Sequence, residues 1–168
     1  MIPVITVVGY SNSGKTTLIV KLIREFKKRG YRIATIKHHH KNVEMDVPGK
    51  DTWRHAEAGA DTVVLACPDK TGIIHKNRYE PSLDEIISQI TGVNLIIAEG
   101  YKNENKPKIE VFRSEIHTEL IASGEELLAV AGDTGFPGIP VFELDDTSGL
   151  VDFLIEEFSL NSGFEPEG

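Results

Sequence analysis

The hydrophobic positions change period along the chain, and each change predicts an element. Residues 2–8, IPVITVV, form a β-branched run ending at Gly9, the pattern of a buried parallel strand. From Lys15 to Arg29 the period becomes helical. Leu18, Ile19, Leu22, Ile23 and Phe26 share one face, Lys27, Lys28 and Arg29 suit the negative C-terminal end, and Gly30 can cap it. YRIATIK (31–37) returns to strand. KDTWRHAEAGA predicts a short helix stopped at Gly59, with Trp53 and His55 packing on it, and DTVVLAC predicts the strand that follows.

GIIHKNRY (72–79) predicts another strand. PSLDEIISQI then opens a helix with Ser82 and Glu85 in capping-box spacing and Leu83, Ile86, Ile87 and Ile90 as its apolar stripe. NLIIAEG (94–100) is a short apolar strand ending in an acid. PKIEVFR (107–113), LLAVAG (127–132) and IPVFEL (139–144) are further strands, and Leu150, Val151, Leu154, Ile155 and Phe158 mark a closing helix. Strands alternating with helices imply an α/β sandwich with a mostly parallel sheet. Residues 107–118 alternate without a crossover helix before them, which leaves room for antiparallel strands at an edge. No repeat or linker divides the chain, so a single domain over 1–158 is expected, with NSGFEPEG ending a loose tail over 159–168.

Composition narrows the function classes. The chain has 168 residues, 40% hydrophobic and 26% charged, enough for one buried core. Its net charge of −8 argues against a general grip on nucleic-acid phosphates, so any anion must be held locally. The single cysteine, Cys67, lies in the apolar run TVVLAC and reads as a small core residue of a reducing compartment. The start, MIPVITVVG, lacks a basic n-region, and no apolar run reaches the ~20 residues that span a bilayer. A cytoplasmic protein without membrane or nucleic-acid partners is expected.

GYSNSGKT, residues 9–16, matches G-x-x-x-x-G-K-[ST] in full, between a strand and an amphipathic helix as that motif requires. It predicts a P-loop NTPase-type three-layer sandwich. Gly9 and Gly14 let the loop through Ser11, Asn12 and Ser13 wrap phosphate oxygens with its N–H groups inward. The helix beginning near Lys15 turns its positive dipole end to the anion. Lys15 supplies a mobile cation to the β- and γ-phosphates, the Thr16 hydroxyl is placed to ligate Mg²⁺, and Thr17 lies near the α-phosphate.

A phosphate loop needs an acid on the magnesium side. Glu99, ending the apolar strand NLIIA, would reach the C-terminal edge of the sheet, where α/β ligand sites lie. Asp69, in CPDKTG, competes because D-x-x-G after a strand also opens nucleotide switches, although a Pro-Asp turn explains it equally well. No N-K-x-D guanine motif is present, so the base is not legible from the residues.

KHHHKNVEMD, residues 37–46, begins at the same predicted sheet edge. Adjacent histidines point in different directions, so His38, His39 and His40 are poorly spaced for one metal. A transition-metal site, a solvated loop and a segment touching nucleotide, Mg²⁺ or an anionic substrate all remain open.

GYSNSGKTTL, IKHHH…MDVPGKDTWRHAEAGAD and LIIAEGYK…PKIEVFR together resemble the MobB family of molybdopterin-guanine dinucleotide biosynthesis proteins. The resemblance covers roughly residues 2–113, with weaker support in VAGD and IPVFELDD. Its middle block is the specific part. The resemblance implies a GTP-binding protein of low hydrolytic activity that assists attachment of GMP to molybdopterin. It also implies a homodimer and a partnership with MobA, the guanylyltransferase. Phosphate-loop roles carry to Gly14, Lys15, Thr16 and Thr17, the Mg²⁺-side acid to Asp46 and the strand-end acid to Glu99. The Lys-His and Gly-Lys-Asp elements carry to Lys37, His38, Gly49, Lys50 and Asp51. The tract then reads as a switch-like segment, with Lys37, His38 and Lys50 offering donors to nucleotide or to a pterin phosphate. Asn94, where such strands often open with Asp, departs from the pattern far from the phosphate end.

Two other classes fit parts of the sequence. A small-molecule kinase would use the His/Lys segment for its acceptor but needs an Arg-rich lid, and the arginines here are scattered. A nickel-type metallochaperone GTPase suits the histidines but ordinarily carries long His tracts or paired Cys.

Overall fold

A computed structural model describes residues 1–162; of the tail expected over 159–168, residues 163–168 lie outside it. The described residues form two compact units, one of residues 1–38 with the chain from Leu83 onward, the other of residues 39–82.

The first unit is built on a six-stranded sheet of β1 (Val4–Val8), β2 (Ile33–Lys37), β5 (Leu95–Glu99), β6 (Lys108–Phe112), β7 (Leu127–Gly132) and β8 (Val141–Phe142), in the order β2-β5-β1-β6-β7-β8. Every neighbouring pair is parallel. Helices α1 (Lys15–Lys28) and α4 (Thr147–Glu157) cover one face, where Leu18, Leu22 and Phe26 meet Ile5, Val7 and Leu154. Helix α3 (Leu83–Ser88) lies on the other, its Leu83 buried with Ile36, Ile96 and Ala98. β1 therefore sends alternate side chains to both faces, which is why its sequence is apolar apart from Thr6, whose buried hydroxyl donates to the Pro107 carbonyl.

β6 corrects the expectation of an antiparallel edge: it is interior, parallel and buried along its whole length. The chain leaves β5 at Glu99, level with Val7, and enters β6 at Lys108, level with Thr6. It steps back one residue along the sheet, so a loop suffices where a helix would ordinarily return the chain. The charged residues that made β6 look half-exposed are satisfied internally. Lys108 Nζ donates to the Glu104 and Lys106 carbonyls and pairs with Glu126. The Glu110 carboxylate accepts from the backbone N–H groups of Ile121 and Ala122 at 2.8 Å.

In the second unit α2 (Asp51–Glu57) packs against a two-stranded antiparallel sheet of β3 (Thr62–Ala66) and β4 (Thr71–His75). Val63 is buried, whereas its neighbours Val64 and Leu65 and the facing Ile73 are exposed. Cys67 is half-exposed at the end of β3 and not the core residue its apolar run implied, because two strands bury far less surface than six. On α2, Trp53 is half-buried and His55 exposed. Among the described residues, no helix is long and apolar enough to cross a membrane.

Candidate functional site

The carboxyl edge of the six-stranded sheet collects the candidate chemistry of the first unit. The turn from β1 into α1 is the loop 9–14. Gly9 takes φ +142°, and a Cβ there would stand 2.7 Å from the Val111 carbonyl oxygen and 2.9 Å from Ser13 Oγ, so only glycine fits between the loop and β6. Asn12 has φ 63° and Gly14, the N-cap of α1, φ 103°. No side chain caps α1, in contrast to α4, where Asp146 accepts from the Gly149 N–H. The first amides of α1 thus remain available to an anion.

Lys15 folds back over the loop, its Nζ donating to the Gly9 carbonyl at 3.0 Å and the Tyr10 carbonyl at 2.6 Å. Burial lowers its pKa; nearby Glu99 opposes the shift and Lys37 adds to it. The Thr16 hydroxyl lies 3.0 Å from each carboxylate oxygen of Glu99. Lys37 reaches Glu99 Oε1 from the other side at 3.3 Å. The sheet produces this cluster directly, since Glu99 stands level with both Val7 and Lys37. His38 follows at the same edge, its N–H donating to the Glu99 carbonyl and its ring stacked on Tyr101, centroids 4.7 Å apart. Thr17 is exposed in the first turn of α1.

Of the sequence candidates, this unit brings together the loop residues Gly9, Ser11, Asn12, Ser13 and Gly14 with Lys15, Thr16, Thr17, Lys37, His38 and Glu99. Asp46, Gly49, Lys50 and Asp51 lie in the second unit. There Asp46 Oδ1 accepts from the Val47 N–H at 2.7 Å, and Gly49 (φ 84°) leads to Lys50, the N-cap of α2, and Asp51 in its first turn. Asp69 sits in the exposed turn between β3 and β4 beside Lys70. His39 Nδ1 bonds its own turn at Lys41. Among the described residues, no group of three or more His, Cys, Asp or Glu could hold a metal ion.

Sequence reasoning missed two polar residues at this edge. Arg113 follows β6, its Nε donating to the Ser13 carbonyl at 3.1 Å. Asp133 follows β7 and accepts from the Ser114 N–H at 2.9 Å and its hydroxyl at 3.0 Å. These bonds, the backbone one foremost, pull the Asp133 pKa down against the opposing effect of desolvation. The signal was available: each directly follows a strand that ends at this edge, where Glu99 ends β5. Beyond Asp133, a cleft of about 430 Å³ runs between the ends of β7 and β8, lined by Asp133, Thr134, Glu143 and Asp145 among others.

This arrangement offers backbone N–H groups and a lysine for phosphate oxygens, with a hydroxyl and a carboxylate beside them. The model of a family described as molybdopterin guanine dinucleotide synthesis protein B matches residues 4–133. The chain is 41% identical over 148 residues to the molybdopterin-guanine dinucleotide biosynthesis adapter protein of Haemophilus influenzae, covering 87% of this chain and 80% of that one. It is 32% identical over 170 residues to the adapter protein of the same description from Escherichia coli, covering 97% of both. The fold is similar to a crystal structure of molybdopterin-guanine biosynthesis protein B, with TM-score 0.74 and 28% identity over 93% of this chain and 99% of that one. It is also similar to a MobB homologue from Bacillus stearothermophilus, with TM-score 0.71 and 27% identity over 93% and 97%.

Proposed function

The chain belongs to the MobB family and serves molybdopterin-guanine dinucleotide biosynthesis as an adapter, and we propose that it does so as a GTP-binding protein. In this reading it is a slow GTPase that assists attachment of GMP to molybdopterin in the cytoplasm. It works as a homodimer with the guanylyltransferase MobA, and a molybdopterin intermediate is a second ligand.

The observation that carries the reading is the meeting of Thr16 and Glu99 beside Lys15, at the uncapped start of α1. Mg²⁺ is a hard cation that takes oxygen ligands and bridges nucleotide phosphates. A hydroxyl and a carboxylate 3.0 Å apart are donors of that class, so these residues fit the ion. Thr16 and Glu99 would hold it; Asp46 is a candidate Mg²⁺-side acid on the family resemblance alone. When bound, Mg²⁺ neutralises charge on the phosphate oxygens. The chain's own part is to bind and orient. The loop N–H groups receive phosphate oxygens, and Lys15 exchanges two neutral carbonyls for an anion, a stronger charge-assisted partner. Lys37 and His38 at this edge are further donors to nucleotide or to a pterin phosphate; Lys50, as a donor, and Asp51, as a nucleotide-binding residue, are assigned on the family resemblance alone. The preference for guanine rests on family membership alone.

Titration of the protein with GTP and ATP, with and without Mg²⁺, tests the proposal. GTP should win, and Lys15→Ala should weaken binding at least about tenfold, equivalent to ~1.4 kcal/mol, at an unchanged melting temperature. A preference for ATP would favour a kinase, and unchanged affinity in Lys15→Ala would remove the phosphate site.

A further inference from the structure

The connection from β6 to β7 grips the phosphate loop from outside. Arg113 Nε donates to the Ser13 carbonyl at 3.1 Å, and its Nη2 stands 3.6 Å from where a Cβ on Gly14 would lie. The ring of His117, only 7% exposed, meets the Tyr10 ring edge-on with centroids 4.2 Å apart. Both residues are held from behind. The Arg113 carbonyl accepts the N–H groups of Ile116 and His117, Asp133 fixes the Ser114 backbone, and buried Glu110 fixes the far end of the connection at Ile121 and Ala122. The grip is therefore preorganised.

In a trans peptide the carbonyl and the following N–H point in opposite directions. Holding the Ser13 carbonyl toward β6 turns the Gly14 N–H away from β6. Building on the phosphate-site reading above, we infer that Arg113 is a positioning residue for nucleotide binding, acting through the Ser13 carbonyl to aim the Gly14 N–H at a phosphate oxygen. Its Nε is spent on Ser13 and its Nη1 lies 3.7 Å from Glu115, so the contribution assigned to it is orientation through Nε, and the charge carried by Nη2 beside Gly14 is what the uncharged Arg113→Gln variant tests.

The side-chain chemistry supplies a clean test. Glutamine carries an N–H donor on the same atom of the chain as arginine Nε but no charge, whereas methionine has similar length and no donor. Mg²⁺-GTP affinity is measured for wild type, Arg113→Gln, Arg113→Met and, as control, Lys15→Ala. Arg113→Met should lose about three- to tenfold, the size of one hydrogen bond, while Arg113→Gln stays near wild type. Equal losses in both variants would assign Arg113 to charge and overturn the inference, as would wild-type affinity in Arg113→Met. Lys15→Ala separates the two levels: if it too binds as wild type, the phosphate site falls and the inference with it. Should Arg113→Met melt within the assay range, NMR of the Gly14 amide decides. A downfield proton shift on adding Mg²⁺-GTP to wild type and to Arg113→Gln is expected, and no shift in wild type overturns the inference.

Discussion

The hydroxyl of Thr16 sits 3.0 Å from both carboxylate oxygens of Glu99, across 83 residues of sequence. Thr16 is in the first turn of α1 and Glu99 is the last residue of β5, the strand beside β1. One parallel pairing therefore places the carboxylate against the start of the helix that leaves the neighbouring strand.

If this pair faces Mg²⁺, Glu99→Gln keeps the shape and removes the charge that a divalent ion requires. The Mg²⁺ concentration giving half-maximal GTP binding should rise about tenfold. Stability should change by about 1 kcal/mol or less, because the Lys37 partner is more than half exposed. An unchanged Mg²⁺ requirement would take Glu99 off the metal side.

Asp46 and His39 separate a switch from a transition-metal segment. Asp46→Asn should weaken Mg²⁺-GTP binding several-fold, about 1 kcal/mol, while His39→Ala leaves it unchanged. Calorimetric titration with Mg²⁺-GTP and then with Ni²⁺ or Zn²⁺ checks both variants. Tight stoichiometric Ni²⁺ or Zn²⁺ binding that disappears in His39→Ala would defeat the switch.

Gly9→Ala places a methyl 2.7 Å from the Val111 carbonyl oxygen, on a backbone at φ +142°. The backbone oxygen cannot retreat without disturbing β6, so the loop must move. Urea unfolding should show a loss of roughly 2 kcal/mol, with weaker nucleotide binding alongside it. Wild-type stability would mean that the loop relaxes freely.

Asp133 predicts a pH response. Its folded pKa lies below the ordinary 3.8, so its bonds to Ser114 contribute stability that is complete above that value and lost as pH falls through the folded pKa. Melting temperature followed from neutrality down to about pH 2 should drop more steeply for wild type than for Asp133→Asn. Parallel curves would show that the bonds carry no net stability.

The sequence by itself determined the local elements and the loop. A helical stripe such as Leu18–Leu22–Phe26, an apolar run such as 95–98 and the spacing of Gly9, Gly14 and Lys15 are written in neighbouring residues, and chain stereochemistry is local. Glu99 was legible for the same reason, as an acid ending an apolar strand.

Tertiary structure alone decided which strand ends are neighbours. That β6 lies between β1 and β7, and so brings Arg113 to Ser13, depends on long-range pairing. The burial of Lys108 and Glu110 misled the periodic reading because the charged partner of Lys108, Glu126, and the amides that hold Glu110, those of Ile121 and Ala122, come from later in the chain. A pattern of polar and apolar positions records what each residue prefers in water. It does not record which distant group will replace that water, and at β6 this replacement turned an apparent edge into the middle of the sheet.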